Sequence, residues 1–255
     1  HNSFKTGKWY PWAVNILGMF AGAGPAMTWA ATHRQHHAHS DTELDPHSHS
    51  VKGMWAVYVN TWGYGFKIKR KFIKRLLQDK ILRWFHKYYF HLNIAIIILF
   101  TAIDPLFMIF GYAIPVVLAF HGYGILNILG HRGAQPNNSW IANILTAGEG
   151  WHKNHHRRAG SWAIGQEWWQ FDPTKWLILG LSKVGLTSNL KRIPEFTIRQ
   201  AEVTMKFKRA EQHLSVFGHD VQQDLGALRL RMSQEYDAFT QTMNDWAALK
   251  ERAIE

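Results

Sequence analysis

The chain has no cysteine among its 255 residues, yet it carries 16 histidines. The absence excludes disulfides, thiolate metal sites and a thiol nucleophile together, so any metal chemistry must rest on imidazole and carboxylate. Acidic residues are scarce as well: 18 Asp and Glu face 29 Lys and Arg, a formal charge of +11. Such a surplus suits nucleic acid or an anionic membrane surface. No zinc-finger, RNP or helix-turn-helix pattern is present, whereas 13 Trp, 8 Tyr and 15 Phe stand beside long apolar runs. That balance points to a membrane and away from nucleic acid. A signal-peptide pattern is also lacking, because the first apolar stretch follows no basic region and has no cleavage context.

The length suits one domain, or one domain with an appendage. Residues 11–31, "PWAVNILGMFAGAGPAMTWAA", are uncharged and long enough to span a bilayer, although their glycines and Pro25 weaken a simple helix. A basic region comes next, with Lys67, Lys69, Arg70, Lys71, Lys74, Arg75, Lys80, Arg83 and Lys87. Within it Ile73, Leu76, Leu77, Ile81, Trp84, Phe85 and Tyr88 recur at helical spacing, which predicts an amphipathic helix on an anionic membrane face. From His91 to Leu129 the chain is almost continuously apolar, interrupted at Asp104-Pro105. This predicts a transmembrane helical hairpin. Its outer flanks are rich in Lys and Arg and its turn has none, so both flanks are expected on the cytoplasmic side. Beyond Thr197 the apolar residues Leu214, Phe217, Val221, Leu225, Leu228, Met232, Tyr236, Phe239, Met243 and Trp246 step by three and four. They predict a long amphipathic tail helix, with a break near Gly218 or Gly226.

Two stretches concentrate imidazoles: "HRQHH" (His33, His36, His37) and "HKNHH" (His152, His155, His156). Both read H-x-x-H-H, and positions i, i+3 and i+4 share one face of a helix. Each set is therefore expected to aim three imidazoles at a common point. Neutral imidazole suits iron, zinc, copper or nickel. The histidines exceed what one tetrahedral zinc takes, so two metals are expected. His131 and Asn127, in "NILGH" at the end of the second apolar run, join the candidates.

These stretches, with "GEGWHKNHH" at 148–156, resemble the histidine boxes of membrane fatty acid desaturases, above all the bacterial Δ9 acyl-CoA (stearoyl-CoA type) enzymes. The opening "HNSFKT" is similar to the end of that family's first box and the residues just after it, with Asn2 in place of arginine. On this reading the chain is an N-terminally truncated fragment. Residues 1–194 are the desaturase domain lacking its first part, and 195–255 are an amphipathic helical tail. The resemblance implies an all-α integral membrane fold: a transmembrane hairpin, interfacial helices and a cytoplasmic histidine-rich cap holding a dimetal site. It implies two irons held by His1, His33, His36, His37, His131, His152, His155 and His156, with Asn127 acting through a water. His1 and His33 would then share one site, so residues 11–31 have to lie in the interface or re-enter rather than cross. The implied location is a bacterial inner membrane.

Removing two hydrogens from an unactivated alkyl chain lies beyond acid-base chemistry and calls for metal-activated O2. The resemblance supplies that frame: Δ9 desaturation of a long-chain fatty acyl substrate, expected as acyl-CoA, with two electrons from a separate donor of ferredoxin, rubredoxin or cytochrome b5 type with its reductase. No H-P-G-G motif of a fused cytochrome b5 occurs. Glu149, Asp41 and Asp45 are candidates to orient ligand imidazoles, and Trp29 and Trp151 to line the acyl site or anchor at the interface. Where animal acyl-CoA enzymes of this type have an arginine and an aspartate before the second box, this chain has Ala31 and Thr32, which removes one headgroup contact. A hydroxylase or alkane monooxygenase, and a histidine-rich membrane protein that only binds metal, are the alternative readings.

Overall fold

A computed structural model describes residues 1, 3–59, 67–133, 135–194, 198, 230–231, 233–242, 245–246 and 249 of the chain. They fall into two compact units, His1–Arg192 and Ile193–Glu255.

The first unit is almost wholly helical. A two-residue strand, β1 (Lys5–Thr6), leads into helices α1 (Tyr10–Met19) and α2 (Ala26–His39). Pro11 occupies the first turn of α1, where its missing N–H costs nothing. Between the helices Gly22 and Gly24 take positive φ, and the chain turns back. The apex of this turn meets the long apolar helices over 80–129. Phe20 lies 6.1 Å from Phe100 and 5.8 Å from Tyr112, and a Cβ on Gly22 would sit 2.6 Å from a methyl of Val116. The segment 11–31 therefore descends and returns, and His1 and His33 reach the same place.

Short helices α3 (His49–Lys52), α4 (Met54–Val59) and α5 (Arg70–Ile73) lead to a 3₁₀ turn at Leu76–Gln78. The continuous amphipathic helix expected over 67–87 is not formed. Asp79 interrupts it, because its carboxylate accepts the N–H groups of Ile81 and Leu82 and starts a new helix, α6 (Lys80–Ile103). The second basic half of that region is thus the first turns of a long apolar helix.

Asp104 then caps α7 (Pro105–Leu129), accepting from the Leu106 N–H at 2.6 Å with Pro105 in the first turn. The two helices have 24 and 25 residues and are long and apolar enough to cross a membrane. At 1.5 Å per residue each spans roughly 36 Å, against about 30 Å for a hydrocarbon core. They run antiparallel, with Phe100 on Phe107 at 4.5 Å. A π turn over Ile109–Ala113 accompanies a polar contact deeper in: the Tyr112 hydroxyl donates to Asn93 Oδ1 at 2.6 Å. Ile98, Phe110 and Leu118 face outward.

Three helices complete the unit: α8 (Trp140–Leu145), α9 (His152–Arg157) and α10 (Pro173–Lys183). Strand β2 (Thr187–Ser188) closes back on β1, antiparallel, pairing Thr6 with Thr187 and Lys5 with Ser188. This small ladder is the one departure from an all-α pattern among the described residues. It sits close to the start of the chain and so helps fix the position of His1.

In the second unit residues 233–242 are helical and include Tyr236 and Phe239 of the expected stripe. Leu214, Phe217, Val221, Leu225, Leu228, Met232 and Met243, and the expected breaks at Gly218 and Gly226, lie outside the described residues.

Candidate metal centre

The histidines come from four places that the fold brings together. His33, His36 and His37 stand on α2; His152, His155 and His156 form α9; His131 lies just past the last turn of α7; and His1 precedes β1. They form two groups, His1, His33, His37 and His155 in one and His36, His131, His152 and His156 in the other. Within each group one ring nitrogen per residue lies within 4.8 Å of all the others.

The expectation that each H-x-x-H-H set converges on one point is corrected. Each set divides two and one: α2 sends His33 and His37 to the first group and His36 to the second. Helix α9 does the reverse, sending His152 and His156 to the second group and His155 to the first. Helical geometry explains the split. Positions i and i+4 are separated by about 40° around the axis, and i+3 falls about 60° to the other side of i. The groups are neighbours, with His37 stacked on His156 at 4.1 Å between centroids.

The proton inventory shows that these groups fit a cation. The Nδ1–H of His36 donates to Asp45 at 2.8 Å, and that of His131 donates to Asp41 at 2.9 Å. A neutral imidazole has one N–H, so both Nε2 atoms present lone pairs. His131, His152, His156 and His36 then form a chain of Nε2 contacts at 2.9, 3.1 and 3.1 Å. With acceptors fixed at both ends, no distribution of single protons satisfies all three contacts. The other group poses the same problem as a closed ring. His33, His155 and His37 meet pairwise through Nε2 at 3.1, 2.9 and 3.2 Å, and in a three-membered ring two like partners always face each other. His1 adds its Nε2 to His33 at 3.1 Å. A metal ion in each group accepts all the lone pairs at once.

Electrostatics prepares the same state. Burial first, then neighbouring imidazoles, holds His33 and His152 well below the usual imidazole value, and lowers His37, His131 and His156 as well. Burial and the charge of His36 bring His155 down to about 4. At neutral pH these six imidazoles are therefore uncharged, the form that ligates a metal.

The carboxylates are fixed in turn. Asp45 is fully buried and also accepts the backbone N–H groups of Asp41 and His47, each at 2.8 Å. Asp41 adopts a positive φ of 59°, a strain tolerated where its carboxylate faces His131. Glu149 departs from its expected role. Its carboxyl makes no hydrogen bond to any of the eight imidazoles; it lines both cavities beside them, one with His36 and His152 and one with His1 and His155. Burial, and then the Asp172 carboxylate, raises it to about 7.

Trp29 also lines both cavities and stacks on His33 at 4.8 Å. Trp151, by contrast, lines neither: it is buried, donates its indole N–H to the Phe171 carbonyl, and packs on Trp140 and Trp169. Its place is in the frame that carries α9. Asn127 lines the first cavity, next to His36 and His152.

Three further residues of that cavity, His47, Tyr123 and Leu126, are not marked by the histidine boxes. The spacing of His47, two residues after Asp45, held the available signal. Its Nδ1 is buried with no hydrogen-bond partner among the described residues, and burial, with the charge of His36, takes its pKa down to about 3.

Two all-histidine groups, with His36 and His131 oriented by carboxylates, beside helices long and apolar enough to cross a membrane, have the make-up of a metal-binding membrane protein. The sequence profile of the fatty acid desaturase family matches residues 1–185. The sn-1 stearoyl-lipid 9-desaturase of Anabaena variabilis is 32% identical over 203 residues, which cover 75% of this chain and 74% of that protein. The acyl-CoA C20 Delta5-desaturase of Anemone leveillei is 33% identical over 208 residues, 75% of this chain and 65% of that protein. The sn-1 stearoyl-lipid 9-desaturase of Synechocystis sp. is 32% identical over 207 residues, 76% of this chain and 65% of that protein. The chain belongs to the fatty acid desaturase family, oxidoreductases of lipid metabolism.

Proposed function

We propose that the protein introduces a double bond at the Δ9 position of a long-chain fatty acyl group, using O2 and a pair of histidine-held irons at the surface of a membrane. The observation that carries this reading is the frustrated proton inventory of the two imidazole groups, which a metal in each relieves. His1, His33, His37 and His155 would hold one iron, and His36, His131, His152 and His156 the other, with Asn127 beside the second. When bound, the irons supply the activation of O2 that removing hydrogen from an unactivated carbon requires.

The chain's own residues supply position and insulation. Asp45 and Asp41 keep Nδ1 protonated on His36 and His131, so that Nε2 faces inward. Trp29, Leu126 and Tyr123 wall the cavity beside the histidines and give an alkyl chain apolar contact there. Both electrons come from a separate donor protein.

The acyl-CoA form of the substrate, expected from the boxes, gives way in this proposal to a lipid-linked acyl group. Among the three relatives, those specified for position 9 act on stearoyl-lipid. Ala31 and Thr32, in place of the charged pair, are buried on α2 and offer a nucleotide headgroup nothing.

Fatty acid profiling of a host that expresses the protein with an electron donor tests this. A new Δ9 bond appearing first in the lipid fraction supports the proposal, and appearing first in acyl-CoA returns the substrate to the thioester. A hydroxylated product moves the assignment to oxygen insertion. No new product from wild type under adequate electron supply sinks the enzymatic reading.

A further inference from the structure

Outside the histidine site and the two long helices, a further apolar surface belongs to α8, α10 and the loop between α9 and α10. Helix α8 buries Ala142 and Asn143 and turns Trp140, Ile141, Ile144 and Leu145 outward, with Ile144 69% exposed. In the loop Trp168 is 92% exposed, and on α10 Leu177 is 63% exposed beside Trp176. Ring contacts join these parts into one surface: Trp140 stacks with Trp169 at 6.1 Å, and Phe171 meets Trp176 edge-on at 5.4 Å. Soluble proteins rarely expose so large a contiguous apolar patch without a partner.

The position of α8 identifies that partner. A Cβ on Gly122 would lie 3.1 Å from the Leu145 carbonyl, so the end of α8 rests directly on α7. Gly122 stands seven residues before Leu129, the last residue of α7. Along the helix axis that is about 10 Å inside the end of the span. Helices that lie in the plane of a bilayer bury their apolar faces to a depth of roughly 5–10 Å. The outward face of α8 is therefore level with the boundary between headgroups and acyl chains, and Val117 and Leu118 of α7, about one turn further in than Gly122, are exposed as well. Indole rings are enriched at that level, where an apolar body and an N–H donor are both accommodated.

We infer that α8, the Trp168–Trp169 loop and α10 form a membrane-embedded skirt that seats the histidine-bearing cap on the bilayer surface around α7. It is distinct from segments 11–31 and 67–87, whose membrane contact the sequence suggested. It rests on α7 spanning the bilayer and is independent of the reaction catalysed. The skirt sets the tilt and depth of the cap, so the cavity walled by Tyr123 and Leu126 stays level with the lipid acyl chains.

The cysteine-free chain allows a direct test. Single variants Ile144→Cys, Ile141→Cys and Leu177→Cys, each spin-labelled and reconstituted in phosphatidylcholine/phosphatidylglycerol nanodiscs, are compared by power saturation with O2 and with a nickel chelate. Leu118→Cys is the lipid reference and Glu43→Cys the aqueous one, with bound iron confirming that each variant is folded. The expected result is high O2 and low nickel access at 144, 141 and 177, close to the Leu118 label. Nickel access equal to that of the Glu43 label overturns the skirt. Dipolar broadening at these positions also overturns it, since a second copy then covers the face. An aqueous reading at Leu118 itself overturns the span on which the skirt depends, and leaves the desaturase reading to its own assay.

Discussion

His36 donates its Nδ1 proton to Asp45 at 2.8 Å, and both side chains are buried. His131 and Asp41 repeat the relationship at 2.9 Å. These carboxylates decide which nitrogen of each imidazole is left free to face a metal. Asp45→Ala and Asp41→Ala should each weaken iron binding by about 10- to 100-fold. Asp45→Asn keeps an acceptor oxygen and should retain more of the affinity than the alanine variant. Iron retained per chain across a chelator series, with circular dichroism to confirm folding, measures both effects. Unchanged retention in Asp45→Ala would remove the carboxylate from any orienting role.

The division of each histidine box between two groups makes a prediction about pairs. His36→Ala and His156→Ala disable the same group, so the double variant should lose no more iron than either single one. His36→Ala with His33→Ala strikes both groups and should lose all of it. Iron stoichiometry of the purified variants distinguishes this from a single shared site, in which both double variants would behave alike. Non-additivity within a group and additivity between groups is the pattern expected of independent ligand sets.

Much of this architecture is legible in the chain itself. Histidine spacing marks the residues that gather into the two groups because metal chemistry needs that residue type, and apolar run length marks the long helices because bilayer thickness is fixed. The division of the boxes is equally available, since 40° and 60° offsets follow from the helical repeat; treating i, i+3 and i+4 as one face hides it. Asp79 ends the expected basic helix through a cap, a local hydrogen bond that outweighs a periodic pattern. Glu149 and Trp151 become candidates by nearness in sequence to His152, but which way each side chain turns depends on the packing of α8 and the 165–172 loop. That packing joins residues distant in sequence, and no periodicity records it. His47 stands outside both boxes and reaches the cavity only through the turn around Asp45, so box spacing cannot find it.

Gly150 carries the frame behind α9. A Cβ there would fall inside the backbone of Asn143, where α8 passes directly behind the loop, and Gly148 beside it needs a φ of 116°. Gly150→Ala should therefore destabilise the cap by more than the ~1–3 kcal/mol usual for overpacking, because backbone rather than a side chain has to move. Gly18→Ala is the matched control: it lies within α1 with open space around it. Removing a helical glycine there should stabilise by roughly 0.5–1 kcal/mol. Thermal unfolding in detergent compares the two, and equal midpoints would show that the contact between α8 and the loop is dispensable.

The last prediction concerns acid. His155 is held at about 4 and His47 at about 3 when folded, against an ordinary imidazole value of about 6.5. Below pH 6.5 the unfolded chain takes up protons at these positions while the folded chain does not, so the unfolded state gains the stabilisation. Metal-free protein should accordingly be most stable above pH 6.5, lose stability as pH falls toward 4, and lose less per pH unit below 3. Iron bound in the first group would withhold the His155 nitrogen from protons, which moves the onset of the loss to lower pH and releases metal as it proceeds. Unfolding midpoints of the metal-free and iron-loaded protein between pH 3 and 8 measure both curves. A metal-free curve that stays flat from 6.5 to 4 would mean that these imidazoles titrate as freely in the fold as in the open chain.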